Sequence, residues 1–345
     1  MAAINVSILG LGRTGSSVGL ALRRYNNTKG AQHNFKTTAY ERRGAILQEA
    51  RKINAADEYV NSPFTAVRDK DIVVLAMPYS DVQPMYEVLG REMRPGAVIL
   101  DMSPLKSPSM AWAQKHLPSE VYMVGVTPTF NPQYLFNSLD TTESAREDLF
   151  DKGLVLLMPG IGCAKEAVEL ATDFGELLGA KTHFIDPSEH DGLIAAAEGL
   201  PAVLGVMFYH MMWHSAGWND GQRLTNPAFG YLTHHLFDTH PDDLRDLILN
   251  NRENTLRYLD EMINSLRTFR QSLAQNDRNA VEAAVVDTAL DYEKWMNRRH
   301  KNEWDEKDAV SKATSAAGDI VTGLFGSVVA RRLRGNKIND DDEKK

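Results

Sequence analysis

The residues with the clearest chemical potential stand near the start of the chain. Gly10-Leu11-Gly12-Arg13-Thr14-Gly15 forms a GxGxxG turn, with the apolar residues Val6, Ile8 and Leu9 before it and Val18, Leu20, Ala21 and Leu22 after it. Between a strand and a helix, such a turn binds a dinucleotide. The first glycine permits the tight turn, the second lets the backbone approach a pyrophosphate, the third lets helix and strand pack closely, and the helix N-terminus favours the phosphate charge. Gly10, Gly12, Arg13, Thr14 and Gly15 are therefore the expected cradle. The next strand ends at Glu41, followed by Arg42 and Arg43. A carboxylate at this point accepts hydrogen bonds from ribose hydroxyls and repels a 2′-phosphate, which favours NAD. An arginine beside it can pair with that phosphate and admit NADP. Glu41 and Arg42 thus join the cofactor set, with NAD favoured and NADP open. The Gly10-to-Glu41 spacing exceeds the usual roughly 20 residues, and the polar run 26–34 reads as a loop insertion.

Other constellations carry less. His210 and His214 share a helix face at i and i+4. No HExxH glutamate accompanies them and no third ligand can be assigned, so the histidines read as a buried helix or pocket wall, and no metal is expected. His234, His235 and His240 precede Pro241 and read as an exposed turn. Cys163 is the single cysteine, which excludes an intrachain disulfide or a cysteine-based zinc site and suits a reducing cytoplasm. A net charge of −8 disfavours a general nucleic-acid binder, whose footprint is basic.

Positioning these groups falls to two kinds of segment. Strands are expected at 5–9, 37–40, 72–76, 98–101, 122–125, 154–158 and 182–185. Several are rich in Val, Ile and Leu without polar alternation, as parallel strands covered on both faces are. Helical patterns lie between them, at 80–92 and at 164–178, the latter closed by Gly179. Strand–helix alternation of this kind gives a doubly wound α/β sheet, a Rossmann domain over residues 1–185. From Pro187 to about Arg334 no strand is convincing. Leu244, Leu247, Ile248, Asn251, Leu256, Leu259, Met262, Ile263 and Leu266 instead form a helical stripe, so residues 186–335 read as an all-α domain. Residues 193–213 are long enough to span a bilayer, but Glu198, Pro201 and His210 interrupt them. They read as one central helix, or two joined at Pro201, buried against other helices and not in a membrane. The charged tail 336–345 is expected to be disordered.

The chain resembles the prephenate/arogenate dehydrogenase family of tyrosine biosynthesis. The pieces that carry the resemblance are GLGRTGSSVGLAL (10–22), DMSPLK (101–106), VGVTP (124–128), LMPG (157–160), SEHDGLIAAAEGLP (188–201) and NNRENTLRYLDEMINSL (250–266), in family order and at family-like spacing. The resemblance implies a Rossmann domain followed by a helical domain that forms a homodimer, and an oxidative decarboxylation of a small carboxylated substrate. In that reaction a ring carbinol gives hydride to nicotinamide, a polar group takes the hydroxyl proton, and carbon dioxide leaves as the ring becomes aromatic. Two positions depart from the family. Thr127 stands where it keeps a catalytic histidine before proline. Pro104 stands where it keeps a serine, with Ser103 one place earlier. Lys106, His190-Asp191 and Arg252 are retained. The resemblance implies that Arg252 grips a substrate carboxylate, which its guanidinium can do in bidentate fashion. It leaves His190, Lys106, Thr127 and Ser103 as the candidates for handling the proton. Of these, His190 has the best-matched ordinary pKa, near 6.5. Two alternatives remain open: a dehydrogenase or reductase for another carboxylated substrate, and a cofactor-binding regulatory protein without turnover.

Overall fold

The computed structural model describes residues 3–136 and 139–304. The described residues up to Glu293 form one compact unit, and those from Lys294 on belong to a second. The strands are β1 (Ala3–Leu9), β2 (Asn34–Tyr40), β3 (Glu58–Val60), β4 (Ile72–Leu75), β5 (Val98–Asp101), β6 (Tyr122–Pro128), β7 (Leu154–Pro159) and β8 (Lys181–Phe184). The helices of the sheet region are α1 (Arg13–Asn26), α2 (Gly44–Lys52), α3 (Pro63–Val67), α4 (Tyr79–Glu92), α5 (Lys106–His116) and α6 (Lys165–Leu177). After β8 come α7 (Pro187–Ile194), α8 (Leu200–Trp213), α9 (Trp218–Gly221), α10 (Pro227–Thr233), α11 (His235–Asp238), α12 (Pro241–Asn250), α13 (Arg252–Ala274) and α14 (Arg278–Lys301). The tail 336–345 lies outside the described residues.

One eight-stranded sheet runs in the order β3-β2-β1-β4-β5-β6-β7-β8. Successive side chains alternate between its faces. Val6, Ile8, Val74 and Leu100 pack with Val18, Leu22 and Phe174 of α1 and α6. Leu9, Val73, Leu75 and Ile99 pack with Val82, Tyr86 and Leu89 of α4. Burial on both faces explains why these strands are apolar throughout. The sequence suggests a parallel sheet, and the structure corrects this at one pair: β6 and β7 run antiparallel, with Val124 opposite Pro159 and Thr127 opposite Leu156. Among the described residues the connection holds no crossover helix, only two single-turn 3₁₀ segments (Pro132–Tyr134 and Thr142–Ser144). The short edge strand β3 carries too little pattern to be read from sequence.

The region after β8 contains no strand among the described residues. Of the two readings left open, one helix or two joined at Pro201, the structure has one continuous helical run from Pro187 to Trp213. α7 and α8 join through a π-helical turn, Ala195–Gly199, and Pro201 falls at the first positions of α8. The wider turn accommodates a residue that has no N–H and whose ring crowds the preceding turn. The run Pro187–Trp213 is long and apolar enough to cross a membrane, yet only 33% of its apolar window is buried within this chain. The expectation of a helix buried against other helices is met only in part within this chain: Ala202 and Gly205 are buried, whereas Leu193, Met207, Met211 and Trp213 are exposed. The apolar stripe from Leu244 to Leu266 is likewise not one helix, since Asn251 leaves helical geometry (φ −120°, ψ 30°) between α12 and α13. The helical part docks on the sheet through polar ties. Asp243 accepts hydrogen bonds from the Ser80 N–H (2.9 Å) and hydroxyl (2.8 Å) at the start of α4.

Candidate active site and cofactor cradle

The glycine turn is built as its spacing requires. Gly10 has φ +95°, and a Cβ there would overlap the Ala76 carbonyl. A Cβ on Gly15 would overlap the Gly10 carbonyl. Gly12 differs: a Cβ there meets no atom within 4 Å. The turn therefore leaves open space over Gly12, at the N-terminus of α1, where a pyrophosphate would approach the backbone. The peptide of Leu11 is pinned from three sides: its carbonyl accepts from Ser16 Oγ (2.9 Å) and Thr142 Oγ1 (2.8 Å), and its N–H donates to Glu41 Oε2 (3.0 Å). Thr14 sits half-buried in the first turn of α1. The Arg13 guanidinium is buried and lies over the Phe130 ring, 4.7 Å from its centroid. Of the expected cofactor residues, Arg13 thus has its side chain buried against an aromatic ring.

Glu41 is buried at the end of β2. Besides Leu11, it accepts from the Arg43 backbone N–H (2.9 Å), Nε (2.9 Å) and Nη2 (3.2 Å). Burial pushes its carboxyl up, but the hydrogen bonds from Arg43 and Leu11 outweigh this and hold it below the ordinary range. A carboxylate offers about four acceptor positions, so Arg43 and Leu11 occupy Glu41 fully. Arg43, which the sequence did not single out, is thus the cation on the acid. Arg42 is exposed and pairs with Asp81 (3.1 Å). Glu41, Arg42, Tyr40, Pro78, Met85 and Val88 line a cleft next to Gly10, which suits the adenosine half of a dinucleotide.

A second constellation lies where β6 ends against α7. Asp186 caps α7 by accepting from the N–H groups of Ser188 (2.8 Å) and Glu189 (3.3 Å), with Pro187 in the first turn. This start sets His190 and Asp191 facing the sheet. Asp191 then answers the exposed donors of another helix. The residue before α5 is Leu105, which has no capping oxygen, and Asp191 accepts instead from the N–H groups of Lys106 (2.7 Å) and Ser107 (2.8 Å). Asn251 Nδ2 donates to the Asp191 carbonyl (2.7 Å). His190 Nδ1 lies 3.0 Å from Asp191 Oδ1, and His190 Nε2 lies 2.8 Å from Thr127 Oγ1. His190 is fully buried, whereas Thr127 is only partly so.

These contacts fix the imidazole. Burial pushes Asp191 up, but the hydrogen bonds from His190, Lys106 and Ser107 dominate and keep its carboxyl below the ordinary range. Asp191 is thus an acceptor, His190 carries its proton on Nδ1, and Nε2 accepts from the Thr127 hydroxyl. Burial also pushes His190 below the usual imidazole range, against the opposing pull of Asp191, so the ring is neutral near pH 7. Asp191, His190 and Thr127 form a chain along which a proton can leave a group at Thr127 for a buried base.

Two other candidates are corrected. Lys106 is fully buried, and its ammonium donates to the carbonyls of Asp101 (3.0 Å), Ser103 and Val126 (3.2 Å). Although burial pulls its pKa to about 8, its ammonium bonds three backbone carbonyls, so it braces the β5 and β6 ends. Ser103 is 2% exposed, and its hydroxyl faces Ser109 Oγ (2.9 Å). It turns inward while Pro104 takes the outer position. Arg252 opens α13, is exposed, forms no ion pair among the described residues and shares a hollow with Ser107, Asp191 and Asn254. The structure therefore brings Arg252 near Asp191, but not against Thr127. The sequence counts Asn251 only as part of a helical stripe; its tie to the Asp191 carbonyl gives no signal there, because the partner lies 60 residues away.

Comparison with known proteins places this geometry. Residues 18–184 match the family model described as prephenate dehydrogenase, nucleotide-binding domain, and residues 186–285 match that of the prephenate dehydrogenase dimerization domain. The first match begins beyond the glycine turn, so the turn stands on its own geometry. A prephenate dehydrogenase of Bacillus subtilis (strain 168) is 26% identical over 300 residues, 86% of this chain and 77% of the relative. A cyclohexadienyl dehydrogenase of Zymomonas mobilis is 23% identical over 284 residues, 79% of this chain and 89% of the relative. A crystal structure of the A. aeolicus prephenate dehydrogenase, in complex with hydroxyphenyl propionate and NAD+, has the same fold, with a TM-score of 0.67 at 17% identity over 85% of this chain and 99% of that one. With both family models matched in sequence order over most of its length, the chain belongs to the prephenate dehydrogenase family.

Proposed function

We propose that this protein catalyses the NAD-dependent oxidative decarboxylation of prephenate or arogenate, as a cytoplasmic homodimer with a domain boundary near residue 185. The names of its relatives support the substrate class. The open space over Gly12 and the ionised Glu41 support a dinucleotide without a 2′-phosphate. When bound, NAD+ supplies the hydride acceptor. The observation that carries the reading is the chain Asp191–His190–Thr127, with distances of 3.0 and 2.8 Å. Thr127 Oγ1 accepts the proton of the substrate carbinol while its own proton passes to His190 Nε2. Asp191 stabilises the imidazolium and keeps the ring in register, and Arg252 holds a carboxylate. A threonine hydroxyl alone is no base near neutrality, and the buried histidine behind it supplies the basicity. The test is NAD+ reduction by the purified chain with prephenate and with arogenate, with formation of the aromatic product measured in parallel. Turnover of either supports the reading. Absence of turnover by a protein that binds NADH would overturn it in favour of another carboxylated carbinol, which Thr127 at the family's histidine position also admits.

A further inference from the structure

The junction of α10 and α11 holds a group of side chains that neither the cofactor cradle nor the proton chain uses. His234, His235 and Asp238 each present one ligand atom, and these atoms lie within 4.8 Å of one another. His234 Nδ1 is 3.1 Å from Asp238 Oδ2, and the two imidazole rings are 3.9 Å apart between centroids. The Asp238 side chain is only 4% exposed. Its other side-chain contact is the Thr239 hydroxyl (3.1 Å), and among the described residues no lysine or arginine pairs with it. The charge of Asp238 also bears on Asp140, but the cations that answer Asp140 are Arg13 and Arg43. A carboxylate this deeply buried calls for a compensating positive charge, and here its neighbours are two imidazoles.

We propose that His234, His235 and Asp238 form a binding site for one divalent transition-metal ion of the zinc class. Two imidazole nitrogens and one carboxylate oxygen are a common donor set for such an ion, with the remaining position left to water. Bonds of about 2.0–2.2 Å bring ligand atoms to roughly 3–4.4 Å of one another, so a small side-chain rotation closes the set. The 3.1 Å approach of His234 to Asp238 already lies in that range. The ion would tie the end of α10 to α11 and neutralise Asp238.

The test uses the untagged full chain, freed of metal by chelation and titrated with Co2+ and then Zn2+. One equivalent of Co2+ should give visible ligand-field absorption that Zn2+ displaces. His235→Gln and Asp238→Asn should each weaken binding by about tenfold or more, the loss that removing even an outer partner of a ligand produces. A His210→Gln/His214→Gln double variant should bind as the parent does. A second readout needs no variant: Zn2+ should protect His234 and His235 from acylation by diethylpyrocarbonate, located by peptide mapping. No saturable binding by the folded parent would overturn the site. So would binding that survives His235→Gln or disappears with the His210/His214 pair, or acylation of His234 and His235 unchanged by Zn2+.

Discussion

Thr127 is the residue on which the chemistry turns. Since it stands between the substrate side and a fully buried His190, the two act in series. Thr127→Val and His190→Gln should therefore each lower kcat by about 10²–10⁴-fold, the range of a positioned proton acceptor, and the double variant should be little worse than either. Losses that multiply would show two independent roles. The pH dependence has a definite sign. Turnover needs neutral His190, whose pKa is pushed below its ordinary value by burial. The acid limb of kcat/KM should thus fall below pH about 6.5, with activity rising as pH rises through it, and Thr127→Val should erase that limb. The sequence offered His190 and Thr127 as rivals because 63 residues separate them, and nothing in either segment's pattern says that they touch. It likewise offered Arg42 for the cofactor, where the structure puts Arg43 on Glu41. Arg43→Ala would release the acid to ribose hydroxyls and expose its charge. The expected result is a wider preference for NADH over NADPH in fluorescence titration; tighter NADPH binding would show that Arg43 restrains the phosphate form.

At the scale of elements, the strand–turn–helix of residues 3–26 was legible because each glycine answers a local steric demand, and local demands are written in adjacent residues. The demands differ, which gives a test. Gly12 has ordinary backbone angles (φ −64°, ψ −167°) and free space around it. Gly12→Val should fold with unchanged circular dichroism and unfolding temperature, yet lose NADH binding, because the side chain fills the pyrophosphate path. Gly15→Val should instead fail to fold, since its Cβ meets the Gly10 carbonyl. Tight NADH binding by the Gly12 variant would remove the cradle from the assignment. Less legible was whatever depends on a distant partner. The N-terminus of α5 takes its cap from Asp191, 85 residues later in the chain. The π turn that admits Pro201 depends on hydrogen-bond spacing, not on residue type. Lys106 entered as a candidate through the family resemblance of DMSPLK, which shows in sequence, while the three carbonyls that accept from its ammonium do not.

For the whole molecule, the division between a doubly wound sheet and a helical region could be read from the change of apolar period near residue 186, since period follows from which faces an element buries. The antiparallel β6–β7 pair could not, because strand direction is set by connection geometry. What the helical pattern conceals is where its apolar face goes. In the single chain Met207 (53%), Met211 (58%), Trp213 (56%), Leu256 (50%), Leu266 (55%) and Leu273 (55%) are exposed on α8 and α13, more than scattered surface apolar residues account for. A face of this kind is stable in water only when covered, and the matched domain description favours a second copy. Sedimentation at micromolar concentration should therefore give a dimer. Met207 and Met211 lie one turn apart on α8, so a Met207→Asp/Met211→Asp variant places charge twice on the same face. It should sediment as a monomer while the sheet domain still binds NADH, because the cradle at Gly12 is built wholly from residues before β8. A parent protein that is monomeric, or a doubly charged variant that stays dimeric, would show that another surface carries the association.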